Sequence, residues 1–389
     1  MYRKAKDKII KQLKGNIVKH DDKTYLVAGK HQFNTIWFRD ACFCFIALLE
    51  CSPDIYSGFI PTMKNMVLAY LDYLNVEGYG PKCLDTQDTE FRVVKQCVKQ
   101  VLEYDVFGVQ ASTTEFDPTT PFVPMYKDRR EAVAIDTNLL VFLVAKCLHL
   151  ENDPRLSRLL EWVETKKRSI DGLILQDPYS DWADSRDRSP VTFLTNLLYW
   201  KALQMNGQLD QASIHRVTMC RVFQRRRKDS LYQSMEKQRY VCLEDQLFAI
   251  HWRFMEDPDQ HFRDLQHHPL WCNAYIPGFP TYPSYRTPSH WQARIGGLNN
   301  YHDSLYWSWL IAFSGVMSVR FGDVQMNKRI YDTLILQAFK RDGGIAEIYK
   351  LDGKDLHRFQ TWDYLSEMPW SWGMGFTIWY LDVVCHKFV

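Results

Sequence analysis

Five stretches of the chain mix carboxylates with aromatic and guanidinium side chains. They are Trp37-Phe38-Arg39-Asp40 heading an apolar run, 131–143 around Asp136, and 177–203 with Trp182, Asp184 and Arg186. The last two are 299–313, with His302 and Trp307, and 343–362, with Glu347, Gln360 and Trp362. This mixture suits a sugar. The apolar faces of a pyranose lie against indole rings, its hydroxyls need fixed carboxylate, amide and guanidinium partners, and hydrolysis needs two carboxyl groups. Each residue also has a plainer use. Asp40 and Asp136 stand where a helix cap or buried ion pair is expected, and His302 sits among aromatics as structural histidines do. Asp184 suits an exposed loop capping the helix near Pro190, Glu347 suits the surface of a short strand, and most tryptophans at helical spacing are core. Of Trp37, Trp182, Trp307, Trp362 and Trp372, two or three are expected to touch a ligand.

Something must hold these stretches together. Apolar residues recur at three- and four-residue spacing through 2–14, 39–50, 57–76, 91–103, 134–149 and 153–167. They do so again through 190–205, 210–228, 242–255, 300–320, 324–340 and 370–385, the signature of helices. The run after Asp136 is apolar nearly all round and predicts an inner helix with Asp136 as its cap. The segment 210–228 carries Arg221 and the run Arg225 to Lys228 and predicts an outer, solvated one. Strand signals are short, at Lys23–Val27, Gly172–Leu175 and Gly344–Tyr349. Long Pro- and Gly-rich loops span 104–131 and 267–299, and compact proteins reserve such loops for function. Alternating inner and outer helices predict an all-α toroid of helical hairpins, one domain over 1–389, with its long loops forming one active face.

Composition narrows the function. The net charge is +2, with 46% hydrophobic and 24% charged residues, which suits a folded globular chain and gives no electrostatic case for nucleic acid. Aromatic content is high at 14%. No segment has the ~20 uninterrupted apolar residues of a membrane span, and the start carries no apolar run of signal-peptide length. The ten cysteines include no C-x-x-C pair and read as reduced thiols of a cytoplasmic protein. There is no phosphate-cradling Gly loop, nucleophile elbow or paired-His zinc motif. No metal or organic cofactor is expected, the expected partner is a small carbohydrate, and a homo-oligomer stays open.

The order of the five stretches resembles the neutral/alkaline invertases and, more loosely, other (α/α)6 six-hairpin glycosidases such as glucoamylase and debranching-type glucosidases. Ile36-Trp37-Phe38-Arg39-Asp40 is similar to the family's V-F-V-R-D, and Val133-Ala134-Ile135-Asp136-Thr137 to its V-A-P-V-D-S. Trp182-Ala183-Asp184-Ser185-Arg186 resembles M-I-D-R-R, and Tyr301-His302-Asp303-Ser304-Leu305-Tyr306-Trp307 resembles Y-H-N-G-G-S-W, with the glycines replaced. Ala346-Glu347-Ile348-Tyr349 followed by Arg358-Phe359-Gln360-Thr361-Trp362 is similar to P-E-Y-Y and K-Y-Q-T-W. The resemblance implies an (α/α)6 barrel and an inverting hydrolase of sucrose or another small α-glucoside. It makes Asp184 the general acid, with Asp181 or Asp187 as alternatives, and Glu347 the general base. Trp37, Asp40, Asp136 and Trp362 would hold the non-reducing sugar, while Gln360 would donate to substrate or hold Glu347. Rival readings are a glucoamylase- or debranching-type glucosidase and a sugar-binding pseudoenzyme.

Overall fold

Among the described residues, twelve principal helices alternate between two kinds of sequence. In chain order they are α1 (Tyr2–Gly15), α2 (Phe38–Leu49), α3 (Ile60–Asp72), α4 (Ile135–Cys147), α5 (Arg155–Glu164) and α6 (Phe193–Met205). They continue as α7 (Leu209–Phe223), α8 (Leu243–His251), α9 (Pro258–Gln266), α10 (Ser308–Arg320), α11 (Val324–Ile330, running on as a π-helical stretch Tyr331–Phe339) and α12 (Ser371–Phe388). The computed structural model describes residues 2–31, 33–86, 117–127, 131–224, 230–236, 238–286, 289–361 and 364–388. The helix predicted over 91–103, the basic run 225–228 and Trp362 lie outside these residues.

Even-numbered helices are buried on every side. In α4 the residues from Ile135 to Ala145 are all buried, and in α10 those from Ser308 to Val319. Odd-numbered helices bury one stripe only: Ile9 and Leu13 in α1, and Leu156, Leu159, Leu160, Trp162 and Val163 in α5. A helix without a polar face must be enclosed by others, and a one-striped helix must lie outside. The contacts follow: α2 packs on α4, α4 on α6, α6 on α8, α8 on α10, α10 on α12, and α12 returns to α2. Outside this ring α3 and α5 lie on α4, α7 on α6, α9 on α8, α11 on α10 and α1 on α12. This is the all-α (α/α)6 toroid that the helical pattern implies. The closing contact depends on Gly375, since a Cβ there would come within 2.9 Å of the Cys44 backbone.

Aromatic side chains fill the ring. Phe43 stacks on Trp372 with centroids 4.3 Å apart, and Trp309, Phe248, Phe313, Phe376 and Trp379 pack around them. Much of the aromatic excess is therefore core. Nine described cysteines are free, six of them buried, so no disulfide contributes among the described residues.

Short strands attach the mouth loops to the inner helices. Ile36–Trp37 leads directly into α2 and pairs with Cys83–Asp85, and Val241–Cys242 leads into α8 and pairs with Thr281–Tyr282. Tyr306–Trp307 leads into α10 and pairs with Ile348–Asp352, which continues as a hairpin to Asp355–Arg358. This pairing is why the helix expected over 300–320 starts only at Ser308. It also moves the predicted Gly344–Tyr349 strand later, to start at Ile348. The expected strand Gly172–Leu175 is reduced to one bridge between Ile174 and Lys167. No helix among the described residues is long and apolar enough to cross a membrane.

Candidate active site

The N-terminal ends of the inner helices converge on one face, and their unsatisfied N–H groups favour negative charge there. Asp40 lies in the first turn of α2, Asp136 in that of α4, and Glu244 and Asp245 in that of α8. Arg39 joins two of the sites. Its Nε and Nη2 donate to Asp136 Oδ1 at 3.1 and 3.0 Å, Nη2 reaches the Ser180 carbonyl at 3.3 Å, and Nη1 stands 3.6 Å from Asp184. Asp136 is completely buried, and Ala134 rather than Asp136 occupies the N-cap. The expectation that Asp136 caps α4 is corrected: its carboxylate holds Arg39.

Three aspartates compete near the start of α6. Asp181 is buried, accepting from Gln176 Nε2 and the Ala183 N–H at 3.1 Å each, with Arg188 at 3.5 Å. Asp187 is exposed and binds the Ser189 N–H at 3.0 Å. Asp184 is open to a ligand, with 35% of its side chain exposed, and is also bound to the site through Arg39. Its neighbour Ser185 shares a 2.7 Å hydrogen bond with His302 Nδ1. Burial lowers His302 to about 3, so the ring is neutral, stacked on Trp307 at 5.0 Å and within electrostatic range of Asp184.

Glu347 precedes its strand at the same face and is buried. The Tyr301 hydroxyl donates to Oε1 and the Tyr364 hydroxyl to Oε2. Burial raises Glu347 to about 8; the two phenols oppose that rise and the charge of Asp40 adds to it. Burial likewise raises Asp40 to about 7, against the pull of Arg39 and of Trp370 Nε1, which donates to it at 3.1 Å, and with a push from Asp184. Asp40 thus interacts electrostatically with both Asp184 and Glu347. The three carboxyls form one site.

The remaining expected site residues are placed as follows. Trp37 is half-buried at the head of α2, edge-on to Phe33. Trp182, Trp307 and Trp372 are each no more than 3% exposed and pack on one another and on Trp309, so they build the floor rather than open platforms. Trp182 also donates to Glu244 at 3.0 Å. Arg186 is a buried strut, donating to the Asn299 carbonyl at 2.7 Å, 3.5 Å from Asp303 and lying over the Tyr285 ring. Gln360 is exposed, and the oxygens of Glu347 are held by Tyr301 and Tyr364.

Sequence reasoning missed Tyr301, Tyr364, Trp370 and Glu367. Tyr301 stands beside His302 in a stretch already singled out, so that signal existed; Tyr364 and Trp370 follow Trp362 without any local mark. Glu367 ties the 29–33 turn to the mouth, accepting from the N–H groups of Lys30 and His31 at 3.0 Å and of Phe33 at 3.2 Å. Cys242, Glu244 and Asp245 place three ligand-type atoms within 4.8 Å of one another, but the buried guanidinium of Arg188 stands 3.3 Å from Glu244 and supplies positive charge there.

No protein-family model and no curated protein sequence matches this chain. Solved structures do. A glycosidase in its wild-type form aligns with TM-score 0.60 at 10% identity over 99% of this chain and 97% of its own. A GH63 mannosylglycerate hydrolase from Thermus thermophilus aligns with TM-score 0.57 at 10% identity over 97% of this chain and 99% of its own. A metal-independent α-mannosidase structure from Streptococcus pneumoniae aligns with TM-score 0.59 at 10% identity over 99% and 94%. These likenesses establish a shared fold, the (α/α)6 toroid.

Proposed function

We propose that the chain is a glycoside hydrolase acting by single displacement with inversion. The observation that carries this reading is the carboxyl set itself: Asp184 beside Arg39, Glu347 between two phenols, and Asp40 coupled to both. In this mechanism Asp184 gives its proton to the glycosidic oxygen as the bond from that oxygen to the anomeric carbon breaks. Glu347 takes a proton from water as the water oxygen bonds to the opposite face of that carbon. Trp37 and Asp40 hold the sugar at the mouth, and Arg39, itself held by Asp136, positions Asp184. Two carboxyl groups suffice for this chemistry without metal or organic cofactor.

The invertase resemblance favours sucrose or another small α-glucoside as substrate. The neighbouring folds, a mannosylglycerate hydrolase and an α-mannosidase, favour a second reading, an α-mannoside. A panel of sucrose, α-glucobioses, short α-glucans, α-mannobioses and mannosylglycerate, followed by NMR, tests both. The expected result is turnover of one class with the β-anomer of the released sugar appearing first. Early α-anomer overturns the single-displacement mechanism. Binding without turnover of any member makes the chain a sugar-binding pseudoenzyme.

A further inference from the structure

The toroid has a second opening, at the C-terminal ends of the inner helices. A cavity of about 990 Å³ lies there, lined by the ends of α2, α4, α6, α8 and α10. Its apolar wall includes Ile46, Leu143, Ile250 and Met317. Helix C-termini carry partial negative charge, so basic residues in their last turns are expected for that reason alone. Arg320 and His251 fit this account and are also paired. Arg320 Nη1 donates to His251 Nδ1 at 2.8 Å, and Glu50 stands 3.2 Å from His251 Nε2 and 3.6 Å from Arg320.

Lys201 does not fit it. It lines the same cavity, half-buried, and among the described residues makes neither a hydrogen bond nor an ion pair; its charge interacts at longer range with Glu50, Cys147 and His251. A desolvated ammonium is costly unless an anion or water meets it. Glu50 is already engaged by the Arg320 guanidinium and the His251 ring. Burial lowers the Lys201 pKa, in keeping with an ammonium short of counter-charge.

We propose that this basal cavity binds a small amphipathic oxyanion, a carboxylate or phosphate ester, with its charged head on Lys201 and its apolar body against Ile46, Leu143, Ile250 and Met317. The cavity is distinct from the catalytic mouth, since packed aromatics fill the axis between them. Position is directly readable, because the exposed thiol of Cys147 lines the cavity while the exposed thiol of Cys272 does not.

The test is the rate of iodoacetamide alkylation at Cys147, with Cys272 as internal reference, in the full chain titrated with hexanoate, neutral hexanamide or inorganic phosphate. Hexanoate is expected to slow Cys147 alkylation saturably and leave Cys272 unchanged, with hexanamide at least tenfold weaker. Lys201→Met should raise the hexanoate midpoint at least tenfold, and Lys201→Arg should keep it within about threefold. Equal protection by hexanamide, an unshifted Lys201→Met midpoint, or no protection by hexanoate at 100 mM overturns the site. Phosphate matching hexanoate overturns the apolar half of the proposal. Addition of 50 mM glucose should leave the hexanoate midpoint unmoved; competition would place the ligand at the mouth and overturn the proposal too.

Discussion

The phenol of Tyr364 is expected to set the pH range of catalysis. Glu347, fully enclosed, is raised to about 8 by burial, and the hydrogen bonds from Tyr301 and Tyr364 to its two oxygens oppose that rise. As a general base it acts only when ionised, while Asp184 as general acid acts only when protonated, so kcat/KM of the wild-type chain should show a limb near 8 set by Glu347. Tyr364→Phe removes one donor at almost constant volume. A hydrogen bond to a charged group is worth ~1.5–3 kcal/mol, and one pKa unit is ~1.4 kcal/mol, so the limb should move up by ~1–2 units. At pH 7 the variant should then lose ~10–100-fold, and much of that loss should return at pH 10. Asp40 titrates in the same region, near 7, so the limb belongs to the pair. Asp40→Asn removes a negative neighbour and should lower the limb. The measurement is the pH profile of kcat/KM for the three proteins on one substrate. A profile with no ionisation near 8 would refute the placing of Glu347 among the reacting groups. A limb unmoved by Tyr364→Phe would refute the role of the phenols.

Asp184→Asn should cut kcat by ~10²–10⁴ with the fold intact, whereas Asp187→Asn should leave activity within about threefold. Asp181→Asn should instead lower thermal stability, because it removes one of the two buried carboxylates beside Arg188, and circular dichroism with activity assays separates the three. Glu347→Gln should gain stability relative to the wild type as pH rises. A carboxyl whose folded pKa is raised from 4.5 to about 8 contributes stability that is fully present below 4.5 and lost as pH rises through 8. The difference should therefore grow by up to ~1.4 kcal/mol per pH unit in that window, read by denaturant titration at pH 5 and pH 8. Gly29→Ala should loosen the mouth, since its Cβ would fall 2.2 Å from the Glu367 side chain that holds three backbone N–H groups; faster amide exchange at Lys30, His31 and Phe33 checks it.

What the sequence showed follows the range of the forces involved. The inner helices were legible because each lacks a polar face, a property of ten or so consecutive residues. Residues near the site were legible where they share a stretch with others, as Arg39 does with Asp40. Function within the site was not, because it rests on contacts between distant segments. Asp136 has the sequence position of a cap, and only Arg39, from another helix, shows what its carboxylate holds. Asp181, Asp184 and Asp187 are indistinguishable along the chain, and only Arg188, Arg39 and solvent tell them apart. The helix expected over 300–320 is shorter in the structure because strand pairing between Trp307 and Ile348 leaves no periodic mark.

Three carboxyls of the mouth differ in a way that bears on mechanism. Burial raises all of them, to about 6 for Asp136, about 7 for Asp40 and about 8 for Glu347. The order follows the supply of positive charge. Asp136 has the guanidinium of Arg39 against it, Asp40 has that cation at its side and an indole N–H, and Glu347 has two neutral phenols. A base held only by neutral donors keeps its proton in the empty site. Hydrolysis passes through an oxocarbenium-like sugar, and that developing positive charge is what the Glu347 surroundings lack. The carboxylate is therefore stabilised most when the sugar ring becomes cationic, so the interaction strengthens from ground state to transition state, as catalysis requires. A permanent cation placed beside Glu347 would ionise it earlier and weaken that difference. On this argument Tyr364→Lys should lower the pH limb yet still reduce the plateau of kcat.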